Sequence, residues 1–199
     1  MQLRLPTEER QATIVDAALR LARDASPALI TTADVAAAVG LTQGALFKHF
    51  PTKEAIWIAA MKRVRAELLS KLDAAARAEP DALAALGAVF RAHVAYVVAH
   101  PGVPRFIFHE LQQPADSAAK REVRALLQAY RKLLLRLFAA AIESGRLPAQ
   151  LDQEAAATLF VGIVQGLVMQ SMLGDRPATM KTQGERVFAI YLRGLCEAP

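Results

Sequence analysis

Residues 31–56 read TTADVAAAVGLTQGALFKHFPTKEAI. Thr31 and Asp34 stand at capping-box spacing, although Thr32 can serve as the N-cap instead. Val35 and Val39 are four apart and share a helix face. Gly40 can supply the left-handed residue that ends such a helix. Leu41 is a short apolar linker, and Thr42 can cap a second stretch, TQGALFKHF, in which Leu46 and Phe50 are again four apart. Pro51 ends that stretch, and Thr52 can cap a longer helix opening KEAIWIAAM, with Glu54 in its first turn. Two short helices around a glycine turn, followed by a long one, form a helix-turn-helix pattern.

In that pattern the second helix enters the DNA major groove with its N-terminal residues toward the bases. Gly44 costs about 1 kcal/mol relative to alanine inside a helix. Its use is close approach, either to a phosphate or base edge or to another helix. Thr42 suits a phosphate oxygen and is also a plain N-cap. Gln43 can hydrogen-bond twice to an adenine edge, or simply be solvated. Lys48, His49 and Lys53 stand where the duplex backbone would run. Val35, Val39, Leu41, Leu46, Phe50 and Ile56 are candidates for a small core beneath.

Outward from this stretch the chain is helical throughout. Hydrophobic residues make up 54% of the 199, with alanine and leucine dominant and no period-2 alternation, so the expected class is all-α. Thr7 can cap a first helix with Glu8 and Glu9 in its first turn, fading by Ser26-Pro27. The long fourth helix is expected to end near Pro80. The next runs to a break at Pro101-Gly102-Val103-Pro104. A short segment RFIFHELQQ follows, then a helix from about Ser117 to Ser144 stopping at Gly145. An apolar helix after Asp152 should end at Gly174-Asp175-Arg176-Pro177, and MKTQGERVFAIYLRGL closes the chain. The expected division is 1–52 as DNA-binding domain and 53–199 as a larger helical domain. The junction should lie in the fourth helix and couple the two rigidly.

The net charge of +5 favours an anionic partner without naming one. Residues 1–54 are balanced, with six Lys/Arg (Arg4, Arg10, Arg20, Arg23, Lys48, Lys53) and six Asp/Glu (Glu8, Glu9, Asp16, Asp24, Asp34, Glu54). DNA affinity would then rest on placement and on doubling by dimerisation rather than on a broad field. The single cysteine, Cys196, fits a reducing compartment. MQLRLPTEERQ has no signal-peptide core, so a cytoplasmic location is expected. The apolar run 155–173 is broken by Thr158, Gln165, Gln170 and Ser171, which reads as a buried or interface helix and not as a membrane partner. There is no HExxH, Walker loop, nucleophile elbow or Glu-x-x-His, and His93, His100 and His109 do not stand at metal-ligand spacings. Enzymatic, metal and cofactor functions are therefore not expected.

The stretch from about Thr7 to Met61 resembles the DNA-binding signature of TetR-family (tetracycline-repressor-type) transcriptional regulators. It shares the capped short helix, Gly40, Thr42, Gly44, an aromatic at Phe47, Phe50 and Pro51-Thr52-Lys53-Glu54. The resemblance implies a homodimer that binds double-stranded DNA at a palindromic operator. Each subunit would carry a three-helix head and a larger domain for dimerisation and for a small-molecule effector whose binding releases the DNA. It implies phosphate contacts from Thr32 and Thr42, base-facing positions at Gln43, Gly44 and Ala45, and further backbone contacts from Lys48, His49 and Lys53. Phe47 departs from the tyrosine often found there. It lacks a hydroxyl to give to a phosphate and is left to pack on the sugar-phosphate edge or the core.

The same resemblance implies a cavity between the fourth helix and the helices up to Tyr130. Candidate lining residues are Trp57, Met61, Phe90, His93, Val94, Phe106, His109, Glu110, Leu127 and Tyr130. His109 and Glu110 would orient a polar ligand group or form a buried hydrogen-bonded pair. It also implies that the last two helices meet their copies across a two-fold axis. Gly162 and Gly166 share one face and permit close approach, there or within one subunit. Ile163, Leu167, Phe188 and Leu192 would add apolar area. The alternative reading is a helical adaptor of the same architecture that binds a protein partner, or DNA without an effector.

Overall fold

The computed structural model describes residues 6–174 and 179–196. Its elements are α1 (Thr7–Leu21), α2 (Thr32–Ala38), α3 (Gln43–Phe47), α4 (Lys53–Arg77), α5 (Ala82–Ala99), α6 (Gly102–Gln112), α7 (Ala118–Glu143), α8 (Gln153–Gly174) and α9 (Met180–Cys196). No strand occurs among the described residues. The fold is all-α.

The caps explain most boundaries. Thr31 and Asp34 form a complete capping box on α2, so the cap is Thr31 and not Thr32. Gly40 has φ +68° and closes that helix as a left-handed residue. Thr42 Oγ1 accepts from the Ala45 amide, and Thr52 Oγ1 from the Ala55 amide. Gly145, at φ +71°, follows α7. At α1 the sequence reading needs correction. The N-cap is Pro6, and Thr7 is the first helical residue with no capping role. α3 is shorter than expected, ending at Phe47. α6 starts earlier than expected, at Gly102, with Pro104 in its first turn. Proline is tolerated there because the amide it lacks would have no partner. α8 ends at Gly174; Asp175, Arg176 and Pro177 of the expected stop lie outside the described residues, as do residues 1–5 of the N-terminal segment.

The chain divides into two compact units. The first comprises Met1–Ala66 and His100–Ala125, the second Glu67–Ala99 and Leu126–Pro199. One crossing falls inside α4, later than the expected division at residue 52, and 100–125 pack with the first unit. The reason lies in the first unit's packing. A Cβ on Gly102 would lie 2.0 Å from the Leu19 carbonyl oxygen, so the start of α6 lies against α1 backbone to backbone. Phe106 of α6 stacks on Trp57 of α4, ring centroids 4.5 Å apart. Arg63 pairs with Asp16 at 3.1 Å, and Arg65 with Glu122 at 3.1 Å. Ile14, Val35, Leu46, Phe50, Ile56 and Met61 are buried in this unit. Val39 and Leu41, expected beside them, are only partly covered.

In the second unit α5, α8 and α9 pack on one another. α5 and α8 are long and apolar enough to cross a membrane by length and composition. Phe90 of α5 and Phe160 of α8 join an aromatic cluster. Phe90 and Phe188 stack with centroids 4.5 Å apart, and Phe160 meets Phe90, Tyr130, Phe188 and Tyr191 edge-on. Tyr191 Oη donates to the Ala156 carbonyl at 2.8 Å, tying α9 to α8.

Candidate nucleic-acid interface

α3 has five residues, too few to persist alone. Leu46 is fully buried and Phe50 nearly so, and these anchor it. Opposite the anchors, Thr42, Gln43, Gly44, Phe47 and Lys48 are exposed, while Ala45 and His49 are partly covered. A Cβ on Gly44 would meet nothing within 4 Å. The close approach this glycine permits is therefore not to another helix of its own chain. Phe47, 43% exposed, lies on the outer face and not in the core.

The polar groups on this face are already partly ordered. Thr42 Oγ1 accepts from Ala45, which leaves its proton free for an outside acceptor. Gln43 Nε2 donates to Thr32 Oγ1 at 2.7 Å, a link that no local pattern in the sequence announces. Gln11 Nε2 donates to the His49 carbonyl at 3.2 Å and fixes the end of α3 to α1. His49 Nδ1 is enclosed without a hydrogen-bond partner. Only its Nε2 remains for a phosphate.

Lys53 differs from the sequence reading. Its Nζ donates to the Ala28 carbonyl at 2.8 Å, so one of its three protons holds the α1–α2 connection. Partial desolvation lowers its pKa, and the nearby Asp34 charge acts in the opposite sense. The Thr31 amide, then the Thr31 hydroxyl, hold the Asp34 carboxyl below its usual range. Lys48 is the more open cation on this surface.

The residues expected to line an effector cavity divide between the units. Trp57, Met61, Phe106, His109 and Glu110 fall in the first; Phe90, His93, Val94, Leu127 and Tyr130 fall in the second. Glu110 is buried, and its carboxylate accepts from the Ser117 hydroxyl, not from His109. Leu127 is 39% exposed on the surface of its unit, unlike the buried Phe90, Val94 and Tyr130. His93 Nδ1 lies 3.2 Å from Tyr130 Oη. Burial pushes the His93 imidazole down to about 4 and the Tyr130 phenol well up, so both are neutral near pH 7.

Among the expected interface residues, Leu167 and Phe188 are 5% and 4% exposed and belong to the core of their own unit. A side chain so covered has no area left to offer a partner. Gly162 and Gly166 have open space where a Cβ would stand, so they do not mediate packing within the subunit. Ile163 and Leu192 are partly covered. Leu159, Met169, Leu173 and Ile190, which were not among the expected residues, are exposed large apolar side chains.

A short helix with a polar, glycine-opened face, held on buried anchors behind a capped helix and a glycine turn, defines a helix-turn-helix DNA-binding protein. Residues 14–60 match the family described as bacterial regulatory proteins, tetR family, and residues 110–185 match the tetracyclin repressor-like C-terminal domain. Together the two matches span more than half of the chain, which belongs to the TetR family of DNA-binding transcriptional regulators. Among relatives, the nucleoid occlusion factor SlmA of Haemophilus ducreyi is 29% identical over 101 residues; the match spans 50% of this chain and only 50% of that protein's length. The fold matches the fatty acid degradation regulator FadR of Bacillus halodurans with TM-score 0.83 at 20% identity, covering 98% of each chain. It also matches FadR of Bacillus subtilis in complex with stearoyl-CoA, with TM-score 0.79 at 18% identity, covering 94% of this chain and 97% of that one.

Proposed function

We infer that this chain is a ligand-responsive transcriptional repressor of the cytoplasm. It binds a palindromic operator as a homodimer and is released by a small-molecule effector. It is not an enzyme. The observation that carries the DNA reading is the open space at Gly44 on the exposed face of α3. A glycine that costs helix stability, and beside which the described residues leave open space where a side chain would start, is explained by a partner that comes close. Thr32, Thr42, Lys48, His49 and the remaining protons of Lys53 serve the phosphates; Gln43, Gly44 and Ala45 face the bases; Phe47 packs on the sugar-phosphate edge.

The homodimer is supported by the α8 face carrying Leu159, Gly162, Ile163, Gly166, Met169 and Leu173, with Ile190 and Leu192 on α9. Its glycines are open, and its large apolar side chains are exposed or partly covered. The effector part of the reading rests on likeness to ligand-binding relatives, because the His93–Tyr130 pair is closed on itself and Tyr130 is buried. That the B. subtilis FadR structure holds stearoyl-CoA bears on the same reading.

Binding of the purified protein to the DNA upstream of its own gene tests the proposal. Fluorescence anisotropy at several salt concentrations, against a scrambled competitor, should give specific binding by two subunits. Compounds are then screened for release of that DNA. If neither this DNA nor selection from random DNA yields a preferred sequence, the regulator reading fails. A second reading is favoured by the SlmA relatives, which are named for nucleoid occlusion and not for a metabolite. In it the protein binds DNA or a protein partner without an effector. Specific DNA binding that no compound relieves would support it.

A further inference from the structure

Thr32 opens α2 and Gln43 opens α3, and their side chains meet: Gln43 Nε2 donates to Thr32 Oγ1 at 2.7 Å. They are 11 residues apart, so the turn makes this bond and not the geometry of one helix. Thr31 performs the capping of α2, which leaves Thr32 without that duty. The Asp34 carboxylate is taken by the Thr31 amide and hydroxyl.

We propose that Thr32 is a positioning residue for base reading, its hydroxyl fixing which way the Gln43 amide presents its donor and acceptor to DNA. This rests on the regulator reading. A hydroxyl has one proton and two lone pairs; a primary amide has two N–H groups and a carbonyl. Two arrangements satisfy the isolated pair. Either the amide gives an N–H to Thr32, or Thr32 gives its proton to the amide oxygen.

A phosphate removes the choice, because its oxygens only accept. Once Thr32 gives its single proton to a phosphate, it can only accept from Gln43. The amide is then held by one N–H. When that N–H is the one trans to Oε1, the other N–H and Oε1 remain free side by side, the pair that complements the N7 acceptor and N6 donor of adenine. With the amide turned over, Oε1 would face the Thr32 lone pairs, and two acceptors would oppose each other. A backbone contact that carries no sequence information alone is thereby converted into a base preference. The chain from base to Gln43 to Thr32 to phosphate also polarises in one sense, which strengthens each bond.

The test begins with DNA selected by the wild-type protein. The base pair whose preference Gln43→Ala abolishes is identified, and the affinity ratio between preferred and substituted DNA is measured at that pair. Thr32→Val keeps the shape and removes the hydroxyl; thermal melting followed by circular dichroism confirms that it folds, and Thr32→Ala replaces it if it does not. The expected result is a fall in that ratio of about fivefold or more, restored by Thr32→Ser. Adding Thr32→Val to Gln43→Ala should lower the ratio no further. A uniform loss of affinity with the ratio intact overturns the inference and leaves Thr32 a simple phosphate contact. So does a Gln43→Ala protein with unchanged base preference. A wild-type protein that selects no sequence overturns the regulator reading itself, and the inference with it.

Discussion

Tyr130 Oη lies 3.2 Å from Nδ1 of His93, and the two rings meet edge-on with centroids 5.3 Å apart. Burial lowers the His93 imidazole to about 4 from an ordinary 6.5 and raises the Tyr130 phenol. A neutral His93 can accept the Tyr130 proton at Nδ1; a protonated one cannot.

This gives a pH dependence with a definite sign. Between pH 6.5 and about 4 the unfolded chain binds a proton at this histidine that the folded chain does not. Stability from this site is therefore full above pH 6.5 and lost as pH falls toward 4. Between pH 7.5 and pH 5 the loss should be about 2 kcal/mol. Urea unfolding of the wild type and of His93→Gln checks it. The variant should lose that share of the pH dependence, and an unchanged slope would remove His93 as its source.

Gln43→Ala should relax preference at one base pair per half-site by ~1–3 kcal/mol. Lys48→Ala should weaken all sequences alike and reduce the salt slope by about one. Anisotropy titrations on preferred and substituted DNA separate the two. A Lys48→Ala protein with altered sequence preference would place that side chain at a base.

Two glycines should answer opposite ways to the same substitution. Gly44→Ala meets no atom of its own chain and should stabilise by about 1 kcal/mol, while weakening DNA binding. Gly102→Ala drives a methyl into the Leu19 carbonyl and should destabilise by about 3 kcal/mol or fail to fold. Thermal melts rank them, and a destabilised Gly44→Ala would return that residue to a structural role.

Gly162→Arg places a long charged side chain on an open part of α8. The folded subunit should be unaffected in its circular dichroism spectrum, and sedimentation velocity should show a monomer where the wild type shows a dimer. A dimer that survives the change would put the interface elsewhere.

The elements set by local chemistry were legible from the chain. Thr31 with Asp34, Gly40, Thr42 and Thr52 cap or close helices through atoms a few residues away, so spacing alone reveals them. What depends on distant neighbours was not legible. In the sequence Phe188 and Leu167 look no different from exposed Leu159 or Ile190, yet Phe188 stacks on Phe90 and meets Phe160, and Leu167 is buried. Pro101-Gly102-Val103-Pro104 reads as a break because proline and glycine usually interrupt helices. Here they begin one, pressed on α1. That Lys53 also holds the Ala28 carbonyl could not be read, because that carbonyl is 25 residues away.

The first unit is assembled from two separate passages of the chain, Met1–Ala66 and His100–Ala125. A ribosome making this protein has therefore not finished the head when α4 emerges. Until Phe106 has been translated Trp57 has no ring to stack on, and Arg65 waits longer still for Glu122. The same order limits protein engineering. A head cut at residue 52, or grafted onto another body there, leaves α6 behind, so chimaeras of this protein need both passages moved together.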